Sequence, residues 1–165
     1  MKLCAVVFAI AAFTLSAAPS KTAANFVDRW TKTRGMALRV AEIMPSNEYA
    51  FRPDPGSMSF AEQIIHVAQT NHAFCAGLKD QRPAPVSPTD SKDTLIQLLA
   101  ESFDYCASTI ATLTDADLDA VHSSPDGRMP GREVMLALYV HMAHHRGQME
   151  VYLRIKGIAP PAYVF

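Results

Sequence analysis

Four stretches of the chain repeat apolar residues at intervals of three and four, and proline-rich segments separate them. In residues 24–44, Phe26, Trp30, Met36 or Ala37, Val40 and Met44 recur at helical spacing, and Pro45 follows the last turn. "PSNEYAFRPDPGS", with three prolines and a glycine, reads as a connection. Ser57 or Ser59 can cap a second helix, "FAEQIIHVAQTNHAFCAGLK", whose stripe is Phe60, Ile64, Val67, Phe74 and Leu78. "DQRPAPVSPTDS" connects it to a third helix over residues 92–113, capped by Ser91 or Asp90. A helical turn, "DADLDAV", and a loop, "HSSPDGRMPG", lead to the fourth helix, "REVMLALYVHMAHHRGQMEVYLRIK", which Gly157 ends as a C-terminal cap. No segment alternates with a period of two, so no strand is expected. Four amphipathic helices of about twenty residues bury their stripes most simply against one another, which predicts an all-α four-helix bundle.

The first twenty residues stand apart from this pattern. "MKLCAVVFAIAAFTLSAAPS" carries a single Lys2, an apolar run and then small residues, the layout of a secretory signal peptide. The apolar run is shorter than the roughly 20 residues that span a bilayer. The expected organisation is therefore a signal peptide over residues 1–20 and one helical domain over 21–165, exported to the periplasm or secreted. Pro19 hinders a cut after Ala18, and cuts after Ser20 or Ala24 are alternatives. Two cysteines remain after that segment, Cys75 and Cys106 on different helices. They can bridge if those helices are neighbours, but two separate small buried side chains is the simpler expectation.

Charge narrows the partners. Fifteen Lys plus Arg against sixteen Asp plus Glu leave no surplus to neutralise phosphates, which argues against nucleic acid. No membrane association is expected once the leader is removed. A homodimer stays open.

The candidate chemistry lies in "HMAHHRGQ". On the fourth helix Val134, Leu138, His141, His145, Gln148, Tyr152 and Ile155 follow one another by four and three, the core-facing seam of a bundle helix. His141 and His145 lie one turn apart in its middle, whereas His144 is turned about 100° away. Two imidazoles in an apolar core are costly without partners, and the i, i+4 spacing lets both reach one divalent ion. A third ligand must come from His66, His72 or His122. His122 reads as a solvated loop residue. His66 shares its side of the second helix with the small residues Ser59, Thr70, Ala73 and Gly77, and His72 projects roughly opposite. A core His66 with a hydrogen-bond partner is the alternative reading.

"FRPDPGSMSFAEQIIHVAQTN", followed some seventy residues later by "HMAHHRGQMEVYLRIKGIAPP", resembles the DinB-like (DinB/YfiT) family of helical-bundle proteins associated with metal-dependent chemistry. The resemblance implies a divalent metal, zinc or nickel, held by one histidine of the second helix and two of the fourth: His66, His141 and His145. It also implies thiol-dependent transferases and isomerases among the relatives, and with them a small-molecule substrate or a thiol as the expected partner.

Three imidazoles leave a coordination position open, as catalytic rather than structural sites do. Proton competition should weaken such a site as pH falls through the histidine range near 6.5. Glu62, Gln63, Gln148 and Glu150 lie near the right turns but read as surface or packing residues. Gly147 could permit close helix packing, and Arg146 has no evident role. Two function classes follow: a metal-dependent hydrolase or thiol-dependent transferase, and a non-catalytic metal-binding envelope or stress protein.

Overall fold

Proline and cap chemistry set the helix limits in the computed structural model, which describes residues 18–86, 89 and 91–164. Helix α1 spans Lys21–Ile43 and begins where the Ser20 hydroxyl accepts from the Thr22 amide. Helix α2 spans Phe60–Gly77 behind a capping box, with Ser59 and Glu62 each satisfying the other's backbone N–H. Helix α3 spans Lys92–Ile110 after Ser91, α4 is the single turn Asp115–Asp119, and α5 spans Gly131–Ile155. Gly157 follows α5 with φ 74°, the left-handed conformation expected of a helix-ending glycine. The candidate cap Asp90 and most of the proposed signal peptide lie outside the described residues. No helix among the described residues is long and apolar enough to cross a membrane.

The four long helices form the expected bundle, with α2 packed on α3 and α5, and α1 packed on the same two. Consecutive helices α1 and α2 are therefore diagonal, as are α3 and α5. The long connections over residues 44–59 and 111–130 make those diagonal crossings. Trp30, Phe60, Phe74, Phe103, Leu99 and Leu138 are fully buried in the shared core. The Trp30 indole N–H donates to the Phe103 carbonyl at 3.1 Å, so the ring fills the α1–α3 interface without stranding its polar atom.

Three sequence expectations are corrected. "HSSPDGRMPG" is not an open loop: Val121–Ser124 (β1) and Gly127–Pro130 (β2) pair antiparallel across a two-residue turn, with Gly127 at φ 111°. So short a hairpin has no room to develop a period-two apolar pattern, which is why it escaped notice. His122, expected in solvent, is buried on β1 and donates from Nε2 to the Asp117 carbonyl at 2.8 Å. Cys75 and Cys106, expected as separate thiols, form a disulfide between the neighbouring helices α2 and α3, whose Cα atoms there are 5.3 Å apart.

The hairpin seats on α2 at Gly77. A Cβ at that position would stand 2.0 Å from the Ser123 carbonyl oxygen, so only glycine admits this approach. The room read from the small residues beside His66 is thus filled, at this end, by backbone of the same chain.

Candidate metal centre

Helices α2 and α5 pack against each other, and His66 from the first meets His141 and His145 from the second. The fourth-helix seam is largely as expected: Val134, Leu138, His145 and Tyr152 are buried, and His141 and Gln148 are half-buried. Its last member departs, since Ile155 is 54% exposed at the helix end. One ring nitrogen from each of His66, His141 and His145 lies within 4.8 Å of the others. Among the described residues, this is the one cluster of three potential ligands. Ring centroids are 4.4 Å apart for His141–His145, 4.6 Å for His66–His145 and 5.0 Å for His66–His141.

The other histidines stand elsewhere. His72 packs its ring 4.9 Å from Tyr105, His122 is held under the hairpin, and exposed His144 accepts at Nε2 from the Gln148 amide at 2.7 Å.

Burial decides the charge state of the triad. Desolvation, followed by the neighbouring His66, pushes His141 down to about 4 from an ordinary 6.5. Desolvation, then His141 and His66, takes His145 to about 4 as well. His66 is lowered by desolvation alone. All three rings are neutral at pH 7 and offer lone pairs. Proton competition is displaced below the pH 6.5 range expected from the sequence.

The donor set fits a divalent cation. The Nε2 atoms of His66 and His141 face each other head-on at 3.0 Å. Ligand nitrogens on one tetrahedral zinc, at about 2.0–2.1 Å from the ion, sit about 3.3 Å apart. Among the described residues, none offers a hydrogen-bond partner to the buried His141 Nδ1.

Three clefts reach the triad, one to each histidine. Met58, Gln63, Val151 and Tyr152 line the approach to His145. Arg52, Glu62, Ile65 and Gln69 line that to His66, and Asp126, Met129, Glu133 and Val140 that to His141. The histidines therefore sit beneath openings rather than inside a sealed core.

The polar residues around the site separate into distinct roles. Glu62 caps α2 and pairs with Arg52 at 2.6 Å, whose hydrogen bond holds its carboxyl down to about 2. Glu150 pairs with Arg146 and Arg154. Arg146 also reaches Met36 on α1, at 3.1 Å from Nη1 to Sδ, and stacks over Tyr163, tying α5 to α1 and the C-terminal segment. Among the described residues, none comes within 4 Å of where a Cβ at Gly147 would stand, so the expected close packing is not seen there. Gln63, read from sequence as a packing residue, is instead buried against the triad, 2.6 Å from His145 Nδ1. Its position three residues before His66, one turn back on α2, was the available signal.

Comparison with known proteins agrees with this fold. Residues 29–149 match the DinB superfamily. The chain is 26% identical over 140 residues to the uncharacterized protein YjoA of Bacillus subtilis (strain 168), covering 81% of this chain and 90% of that one. A DinB-like protein from Bacillus cereus ATCC 10987 superposes with a TM-score of 0.75 at 19% identity, covering 86% of this chain and 97% of its own. YfiT from Bacillus subtilis, described as a probable metal-dependent hydrolase with an unusual four-helix bundle topology, superposes with a TM-score of 0.66 at 15% identity, over 89% and 95% of the two chains. With its diagonal bundle, its histidines shared between α2 and α5, and a family match across most of its length, this chain belongs to the DinB superfamily.

Proposed function

We propose that the chain is an exported metal-dependent enzyme, a hydrolase or a thiol-dependent transferase, whose ion is held by His66, His141 and His145. The convergence of three ring nitrogens beneath open clefts carries this reading. Three neutral protein ligands leave a position free for a small molecule. An ion bound there, zinc or nickel, supplies Lewis acidity and lowers the pKa of a coordinated water or thiol.

The chain's own residues then set access and orientation. Met58, Val151 and Tyr152 form a largely apolar wall beside His145, suited to an uncharged part of a substrate. Glu62 is held ionised in its pair with Arg52 and so does not serve as a general acid. YfiT is described as a probable metal-dependent hydrolase, and that reading enters here by analogy of fold.

Export rests on the leader-like order of residues 1–20 and is supported by the Cys75–Cys106 disulfide, a bond favoured in oxidising compartments. Ser20 caps α1, and its backbone N–H donates to the Leu113 carbonyl at 2.7 Å. A cut before Ser20 keeps these contacts, whereas a cut after Ser20 or Ala24 removes them.

Elemental analysis of the purified protein, followed by ester, amide and thiol-transfer assays with and without the ion, tests the reading. Turnover lost on chelation and restored by zinc or nickel is expected. A stoichiometric ion with no turnover, whose removal lowers the melting temperature greatly, would give the non-catalytic reading instead. Protein that retains no ion would contradict both.

A further inference from the structure

We propose that Gln63 is a positioning residue for the metal centre, fixing His145 as the tautomer that keeps its proton on Nδ1 and presents Nε2 to the ion. The inference rests on the metal-centre reading above and adds the group that orients one of its ligands.

The argument begins at a backbone carbonyl. Tyr152 donates its hydroxyl proton to the Met58 carbonyl at 2.8 Å. A phenol has one proton, so toward any other neighbour Tyr152 can only accept. That neighbour is the Gln63 side-chain amide at 3.3 Å, which must turn its NH2 toward Tyr152. The second N–H of the same group donates to Gln148 Oε1 at 2.7 Å. Both amide protons are then used, and Oε1 is left facing His145 Nδ1 at 2.6 Å. An oxygen there can only accept, so Nδ1 carries the proton and Nε2 is bare.

The reversed amide is opposed at Tyr152. It would set Gln63 Oε1 against a Tyr152 oxygen whose proton is already committed to the Met58 carbonyl. Gln148 extends the chain, its own amide donating to His144 Nε2 at 2.7 Å. The bonds run in one direction from the His145 N–H, through two amides, to His144. Gln63, Tyr152 and His145 are 2%, 4% and 7% exposed, so water competes weakly for these bonds.

A partner on the non-ligating nitrogen fixes a ligand's tautomer and ring orientation, and its loss typically weakens metal binding by about 10–100-fold. The glutamine also explains why α2 and α5 must keep their register. One turn of α2 carries both Gln63 and His66, while α5 carries both ligands and both anchors of the amide.

Three measurements decide the matter. Nitrogen-15 NMR of the ring in the metal-free wild-type protein should show His145 protonated at Nδ1; protonation at Nε2 would overturn the proposal without any variant. Zinc affinity by chelator competition should fall about 10–100-fold in Gln63→Met, with a changed visible spectrum of the cobalt form. Tyr152→Phe, which removes the acceptor that turns the Gln63 NH2 away from His145, should show a smaller loss of the same sign. Gln63→Met with wild-type affinity and spectrum would overturn the assignment. If Gln63→Met does not fold, the wild-type tautomer and Tyr152→Phe still decide. Failure of the underlying reading is separable, because a wild-type protein that takes up no zinc contradicts the metal centre itself. One that binds zinc with His145 protonated at Nε2 contradicts only the role of Gln63.

Discussion

His141 and His145 carry the clearest consequence at the scale of single residues. Both rings resist protonation in the folded chain until about pH 4, against an ordinary 6.5. Between those values the unfolded chain binds more protons than the folded one, so stability declines as pH falls through the window and these two groups add nothing further below it. Urea unfolding of the metal-free protein from pH 7 to pH 4 should show this loss, and His141→Gln should make the slope shallower. Equal slopes for the two proteins would mean that His141 titrates normally. The His141–His145 pair was legible because seam spacing and side-chain type are both local: four residues make one turn, and histidine is conspicuous among Val134, Leu138 and Tyr152; His66, on another helix, stayed one of three candidates until the family resemblance selected it. Gln63 was not legible as a positioning residue, because its role depends on the proton of Tyr152 and on an amide of α5, 85 residues away. His122 was misread because its burial is created by a hairpin that the local pattern does not announce.

Two glycines separate position from composition at the scale of elements. At Gly77, where α2 ends against β1, a Cβ would collide with the Ser123 carbonyl at 2.0 Å. Gly77→Ala should destabilise the fold by about 1–3 kcal/mol, the range for overpacking. At Gly147, inside α5 with open space around it, Gly147→Ala should stabilise by about 0.5–1 kcal/mol through helix propensity alone. Chemical denaturation of both variants tests the pair, and equal effects would contradict the docking of the hairpin on α2. The long helices were readable from apolar spacing and from caps such as Ser59, with ends off by a few residues. The hairpin was not, because four-residue strands bracketing Pro125 and Asp126 bury only one side chain on β1 and carry no alternation.

At the scale of the whole molecule, the disulfide and the metal centre act on different helix pairs. Cys75–Cys106 joins α2 to α3 and closes a loop of 31 residues in sequence separation. Chain-entropy reasoning puts its contribution at about 3–4 kcal/mol, so Cys75→Ala/Cys106→Ala should lower stability by roughly that amount while leaving zinc stoichiometry unchanged. Retained stability with lost zinc would reverse this division of labour. The bundle was foreseeable from four stripes, but its diagonal order was not, since periodicity says which face is buried and not which neighbour buries it. The pairing of α2 with α5 brings His66 to His141 and His145, and the account's central claim is that these three rings hold one ion. Zinc stoichiometry of single alanine variants at all six histidines tests that claim most directly. The account predicts one ion per folded chain in the wild type and in His72→Ala, His122→Ala and His144→Ala, and loss of the ion in His66→Ala, His141→Ala and His145→Ala. Full occupancy in His145→Ala, or a loss in His72→Ala equal to that in His66→Ala, would contradict it.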